Sequence, residues 1–168
     1  KYYEYAEKLI NKNDAYVCTC SQEKFKKLAD SQKDCPCRKL DIKENITRWN
    51  KMLDKKGYSE GEAVLRFRSI EGMQHPNPAM RDFPLARINL HKHPKQGTKY
   101  RVWPLMNLSV TVDDIEMKIT HIIRGKDHMD NAKRQEMIYK VLGLENKFPW
   151  TFFMGRMKFT DVILSKRK

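Results

Sequence analysis

Apolar residues near the N-terminus recur at helical spacing: Tyr2, Tyr5, Ala6, Leu9 and Ile10 form one face, which Asn11, Asn13 and Asp14 interrupt. A short second helix is opened by Ser21 as its cap and faced by Phe25, Leu28 and Ala29. A third spans residues 42–56, with Ile42, Ile46, Trp49, Met52 and Leu53 on one stripe and Gly57 placed for a left-handed C-terminal cap. From Gly61 the period becomes two. Ala63, Leu65 and Phe67 alternate with Val64, Arg66 and Arg68, which predicts a half-exposed strand showing two arginines on its outer face. A proline-punctuated loop, HPNPAMRDFP, leads to a strand through Leu85, Ala86, Ile88 and Leu90, which ends at His91-Lys92-His93-Pro94. Residues 100–105 make another.

After residue 118 strand and helix alternate. Residues 119–125 read as a short buried strand, and 129–142 as a helix with Ala132, Met137, Ile138, Val141 and Leu142 inward and Gly143 beyond its end. Residues 148–153 are apolar and aromatic enough for a further strand, so the last third predicts an α/β unit with a parallel sheet. There is no internal repeat and no low-complexity segment.

Charge narrows the range of partners. The 168 residues hold 34 Lys and Arg against 21 Asp and Glu, a net charge of +13, and bases exceed acids in every third of the chain. With 40% hydrophobic residues there is material for a core, so the charge belongs to a folded surface and not to a basic tail. A protein tracking a phosphate backbone suits this distribution; a basic surface that only keeps the protein monomeric is the competing reading. No stretch approaches the ~18–20 apolar residues of a membrane span, and the first residues lack a signal-peptide core. A cytoplasmic monomer is expected. The chain also opens inside an amphipathic helix with no lead-in, as a piece of a longer protein would.

Cys18, Cys20, Cys35 and Cys37 form two Cys-x-Cys pairs with a helix between them. Four thiolates so spaced suit a structural zinc with about 2.3 Å to each sulfur and no open position for water. Four reduced buried thiols, or two disulfides, are the other readings. Asp113 and Asp114, beside Glu116, are an acid/base pair, a magnesium site or, more simply, the cap and first turn of a helix. His91 and His93 read as exposed loop-end residues, and Trp49, Trp103 and Trp150 as core. Arg124 would stand at the C-terminal end of a buried parallel strand, the edge at which open α/β sheets bind ligands; an arginine emerging into solvent is the plain alternative.

The terminal residues change this weighing. Ile163-Leu164-Ser165-Lys166-Arg167-Lys168 resembles the second signature of class I aminoacyl-tRNA synthetases, KMSKS, in its M-S-K-R-K form. It follows ITHIIRGKDHMDNAKRQEMIYKVLG, which is similar to the T-H-V-I-R-G-E-E-H…N…Q…Y-x-x-L-G segment of the archaeal-type glutamyl-tRNA synthetases, and AYVCTC matches that family's zinc insertion. The three matches, in order, cover most of the chain.

The resemblance implies a central catalytic-domain fragment of an α/β enzyme. Its fold would be part of a Rossmann-like class I nucleotide-binding fold, carrying an inserted zinc-containing α+β domain that binds the tRNA acceptor stem. Residues 1–14 would end the first half of the nucleotide fold, 15–100 would be the insertion, and 101–168 the second half. The HIGH signature and the anticodon-binding domain would lie outside this sequence. Glutamate and ATP, with magnesium, would be joined as glutamyl-adenylate, and the glutamyl group passed to glutamate tRNA, with glutamine tRNA as a further substrate. Lys166 would neutralise the ATP phosphates, Ser165 shape the loop, Arg124 pair with the substrate side-chain carboxylate and Asp127 lie near the ribose. Arg66 and Arg68 would face the acceptor stem. Two positions depart from the pattern: Met106 replaces a tyrosine often near the amino acid, and Ile163 replaces the first lysine of KMSKS. A non-catalytic zinc-stabilised RNA-binding module and a glutaminyl-tRNA synthetase are the alternatives; the latter would be expected to lack an arginine at position 124.

Overall fold

The structure is a computed structural model, and it describes residues 1–155. Helix α1 (Tyr2–Asn11) buries Tyr5, Ala6, Leu9 and Ile10, the predicted face. It closes through Asn13, whose φ of 64° lets its N–H donate to the Ile10 carbonyl and that of Asp14 to the Leu9 carbonyl. Strand β1 (Ala15–Cys18) follows, then α2 (Gln22–Asp30), whose Ser21 cap accepts from the Lys24 N–H at 3.2 Å. Helix α3 (Ile42–Leu53) is capped by Asp41, which accepts from the Glu44 N–H at 2.8 Å. It is shorter than its apolar pattern suggested, and Gly57 is not a left-handed cap. A Cβ at Gly57 would stand 1.7 Å from the Lys51 carbonyl oxygen, so glycine is required there by close approach.

Strands β2 (Val64–Phe67), β3 (Pro84–Ile88) and β4 (Val102–Pro104) extend β1 into an antiparallel sheet of order β1-β2-β3-β4. Ala15 pairs with Phe67 and Cys18 with Val64, while a bulge between Leu65 and Arg66 shifts the pairing with β3. The inner face carries Val17, Leu65, Phe67, Leu85 and Ile88 against Leu9, Ile10, Trp49 and Met52 of α1 and α3. Burying side chains of this size contributes about 1.5–3 kcal/mol each.

All four residues of β1 are buried, because its second face is covered as well. That cover corrects the picture of two outward arginines. Tyr16 pairs with Arg66 across the sheet, and the unit around the cysteines lies over both. The Arg66 guanidinium sits 3.4 Å from the centre of the Phe25 ring, and that of Arg68 lies 5.6 Å from the Tyr16 ring while donating to the Leu40 carbonyl. The alternation was legible; the half-burial of its polar face was not.

Helix α4 (Met106–Glu116), strand β5 (His121–Gly125), helix α5 (Met129–Leu142) and strand β6 (Trp150–Met154) complete the described chain. Leu108, Val112 and Ile138 join the main core. Strands β5 and β6 run parallel, from His121↔Trp150 to Gly125↔Met154, with α5 between them as the strand-helix-strand pattern predicted. Gly143, at φ 73°, ends α5 as expected.

Three expectations fail here. Asp113, Asp114 and Glu116 close α4 and do not open a helix, a position the helix dipole disfavours. Tyrosine hydroxyls of α1 compensate: Tyr2 donates to Asp113 and Tyr5 to Glu116, each at 2.8 Å. Second, β5 is not buried: Ile123 is 69% exposed, and with Phe152 and Met154 it forms an apolar sheet face that no described element covers. Third, Trp150 shares that face at 59% exposure, whereas Trp49 is core as expected. Among the described residues no helix is long and apolar enough to cross a membrane.

Burial, then the hydrogen bond to Glu116, raises the Tyr5 hydroxyl to about 12; burial, then Asp114, raises Tyr139 to about 12 as well. Burial followed by Asp82 pushes Tyr16 up further. A folded-state pKa above the unfolded one gives stability that is complete below the ordinary value and lost as pH rises through the raised one. The melting temperature is therefore expected to fall from about pH 10 to pH 12 as tyrosinate absorbance grows. A flat profile over that interval would contradict the buried placement of these hydroxyls.

Candidate functional site

The four cysteines converge. Cys18 and Cys20 leave the end of β1, while Cys35 and Cys37 flank the start of a single 3-10 turn (Pro36–Lys39). Cys18 Sγ lies 3.4 Å and Cys20 Sγ 3.5 Å from Cys35 Sγ, with Cys20 and Cys37 at 4.0 Å and all four within 4.8 Å of one another. A tetrahedron with metal–sulfur bonds of about 2.3 Å has edges of about 3.8 Å, so this donor set fits a tetrahedral thiolate metal. None is paired in a disulfide. Crowding splits their acidity: hydrogen bonds from Cys18 and then Cys35 hold Cys37 well below the ordinary thiol range, while Cys18 first and Cys37 next push Cys35 up.

Positive charge and hydrogen bonds brace this cluster. Arg48 of α3 donates from Nη1 to Cys37 Sγ at 3.6 Å and to Thr19 Oγ1 at 3.2 Å, and from Nε to Glu44 at 2.8 Å. Asn45, buried one turn earlier, accepts from the Val17 N–H at 2.9 Å and donates to the Leu40 and Asp41 carbonyls, tying β1 to α3. On the other side the buried Asp82 carboxylate accepts from Tyr16 OH (2.8 Å), Arg38 Nε (2.9 Å), and the Ser69 N–H and hydroxyl. Neither Asn45 nor Asp82 was readable as special, since their partners come from distant parts of the chain.

The second centre is the C-terminal end of β5. Arg124 is half-buried there, and its Nη1 donates to Oε1 of Gln135 on α5 at 2.9 Å. Asp114 of α4 is raised chiefly by burial and drawn back down by the Arg124 charge. Asp127 lies just beyond the strand, 3.8 Å from the His128 ring, with its side chain 78% exposed. A Cβ on Gly125 would meet Asp127 Oδ1 at 2.4 Å, so the present Asp127 rotamer relies on the space that Gly125 leaves. Met106 stands exposed at the start of α4. Arg124 and Asp127 thus share one turn at the sheet edge, while Arg66 and Arg68 belong to the cysteine unit. Ser165 and Lys166 lie outside the described residues. Gln135 stood in the sequence only as the Q of the family-like segment, with no role attached to it, and Arg48 carried no signal beyond helical position.

An open groove of about 590 Å³ runs beside the cysteine unit at the start of α3, with Asn13, Lys39, Lys43 and Arg68 in its wall.

The arrangement has counterparts. A solved glutamate tRNA ligase from Elizabethkingia meningosepticum, in complex with its amino acid, superposes with a TM-score of 0.55 at 18% identity, covering 99% of this chain and 34% of that one. The family model described as tRNA synthetases class I (E and Q), catalytic domain, matches residues 1–168, and the chain belongs to that family. Together with the superposition, the family match gives the fold as that of a class I tRNA synthetase catalytic domain, α/β with mixed sheets. Glutamate–tRNA ligases of the archaea Methanothermobacter marburgensis and Thermococcus kodakarensis are 46% and 48% identical over 98% and 99% of the chain. The chain spans 28% of the length of either relative.

Proposed function

We propose that this chain is the central part of an enzyme that attaches glutamate to tRNA through glutamyl-adenylate. The observation that carries the reading is Arg124: a guanidinium at the C-terminal end of a parallel strand, with no ion pair among the described residues, in a chain nearly half identical to glutamate–tRNA ligases. Such a group pairs with a carboxylate side chain through two charge-assisted hydrogen bonds and gains less from an uncharged amide. In the first step an oxygen of the glutamate α-carboxylate attacks the α-phosphorus of ATP, supplied as its magnesium complex, and pyrophosphate leaves. In the second, a terminal ribose hydroxyl of tRNA attacks the acyl carbon and AMP leaves. No protein nucleophile is required; orientation and charge stabilisation carry the rate. Arg124 orients glutamate, Asp127 lies toward the ribose, and Met106 borders the amino acid. Lys166 neutralises the phosphates and Ser165 shapes their loop.

Residues 15–100 serve as the insertion that holds the acceptor stem, flanked by 1–14 and 101–168 as parts of the nucleotide-binding fold. The groove walled by Lys39, Lys43 and Arg68 supports a phosphate contact there, with Arg66 bracing the same unit. Cys18, Cys20, Cys35 and Cys37 hold zinc, which supplies a cross-link and no reactive position. Reduced thiols suit a cytoplasmic enzyme, and a monomer that charges glutamate tRNA, with glutamine tRNA as a second acceptor, completes the reading. The full-length chain incubated with ATP, tRNA and either labelled amino acid tests it. Ester-linked glutamate on tRNA is expected; transfer of glutamine alone would assign the glutaminyl enzyme, and no transfer would favour a non-catalytic RNA-binding module.

A further inference from the structure

Arg124 turns toward α5, where its partner is an amide. Gln135 is 2% exposed, its oxygen takes the Arg124 Nη1 hydrogen at 2.9 Å, and its Nε2, although buried, meets no acceptor among the described residues. One turn along the same helix Tyr139 is 1% exposed, with its hydroxyl also without a partner among them. Glutamine and glutamate have the same reach, but they treat a guanidinium differently. A carboxylate at position 135 would form a bidentate ion pair and occupy the donors of Arg124; an amide fixes the group through one hydrogen bond and sets no charge against it. Among the described residues Asp114 of α4 also faces Arg124 and forms no ion pair with it. An orphaned buried donor beside a guanidinium with no ion pair among the described residues describes a receptor for a carboxylate.

We propose that Gln135 is a positioning residue for amino-acid selection: it orients Arg124 without neutralising it and so sets the preference for an acidic side chain over its amide. This rests on the reading of Arg124 as the contact for the glutamate carboxylate. Gln135 itself acts through Arg124.

The test uses the full-length chain, with Gln135→Glu, Gln135→Met and Arg124→Ala compared with the parent in glutamate-dependent ATP–pyrophosphate exchange, tRNA present. Gln135→Glu is expected to raise the glutamate KM about tenfold or more, with the ATP KM changed less than about twofold. Gln135→Met should raise the glutamate KM by a smaller factor, because Arg124 loses its anchor but keeps its charge. Equal rises for both substrates, or the same effect from both Gln135 variants, would reduce the residue to packing and overturn the proposal. Should Gln135→Glu fail to fold, as a melting curve would reveal, the substrate split of Gln135→Met decides. Arg124→Ala separates the two claims: an unchanged glutamate KM there removes the Arg124 reading, whereas a raised one with unaltered Gln135→Glu removes only this inference.

Discussion

Removal of metal by a chelator is expected to lower the melting temperature of this chain by roughly 8–16 °C. The figure follows from mass action: a ligand held about a thousandfold above its Kd stabilises the folded state by about 4 kcal/mol, and each kcal/mol moves the midpoint of a chain this size by about 2–4 °C. The loss should be concentrated in residues 15–40, because the sulfurs join the end of β1 to the turn beyond α2, and that unit covers the outer face of the sheet. Cys35→Ser should do the same without chelator, since Cys35 is fully buried and lies closest to both Cys18 and Cys20. Native mass spectrometry gives the direct readout, with one zinc per parent chain and none in the variant. A parent chain carrying no metal, or a disulfide between any of these cysteines, would refute the site.

Arg124→Ala in the full-length chain is expected to reduce kcat/KM for glutamate by at least about 30-fold. Removing one partner of a desolvated charge pair costs about 2–5 kcal/mol, and each 1.36 kcal/mol is a factor of ten. The ATP KM should move little, because the guanidinium is assigned to the amino-acid side chain and is held by Gln135 of α5. Equal loss for both substrates would mean that Arg124 supports the fold of the β5–α5–β6 unit and does not read the amino acid.

What the sequence made legible is what depends on near neighbours. The faces of α1, α3 and α5, the Ser21 cap, the glycine end of α5 and the parallel pairing of β5 with β6 all follow from periods and single residues. Two other helix ends do not. Gln32 and Lys118 adopt φ of 54° to close α2 and α4, a conformation their side chains do not signal, whereas Asn13, at 64° after α1, is of a type that visits it readily. Gly57 misled because glycine serves both positive φ and close approach, and only the position of the Lys51 carbonyl separates the two.

The candidate site divides in the same way. Two Cys-x-Cys pairs announced a cluster, since spacing is itself the signal. Arg66 and Arg68 were correctly placed on the polar side of β2, yet Phe25 and Tyr16, which cover them, come from other segments. Asp113 and Glu116 looked like a helix start because acids favour that end; their tyrosine partners are 111 residues away. Gln135 is a polar residue on the inner face of a helix, and only the fold shows that it meets Arg124. Ile123 and Trp150 were assigned to a core on apolarity alone, which cannot say whether a covering element is present.

On this reading the C-terminal edge of β5 selects glutamate through Arg124. A crystal structure of the full-length chain with a non-hydrolysable glutamyl-adenylate analogue tests the contact itself. The glutamyl side-chain carboxylate is expected on the Arg124 guanidinium at about 2.7–2.9 Å, with Gln135 still holding the same arginine from behind. A carboxylate bound elsewhere, with Arg124 touching only Gln135, would contradict it.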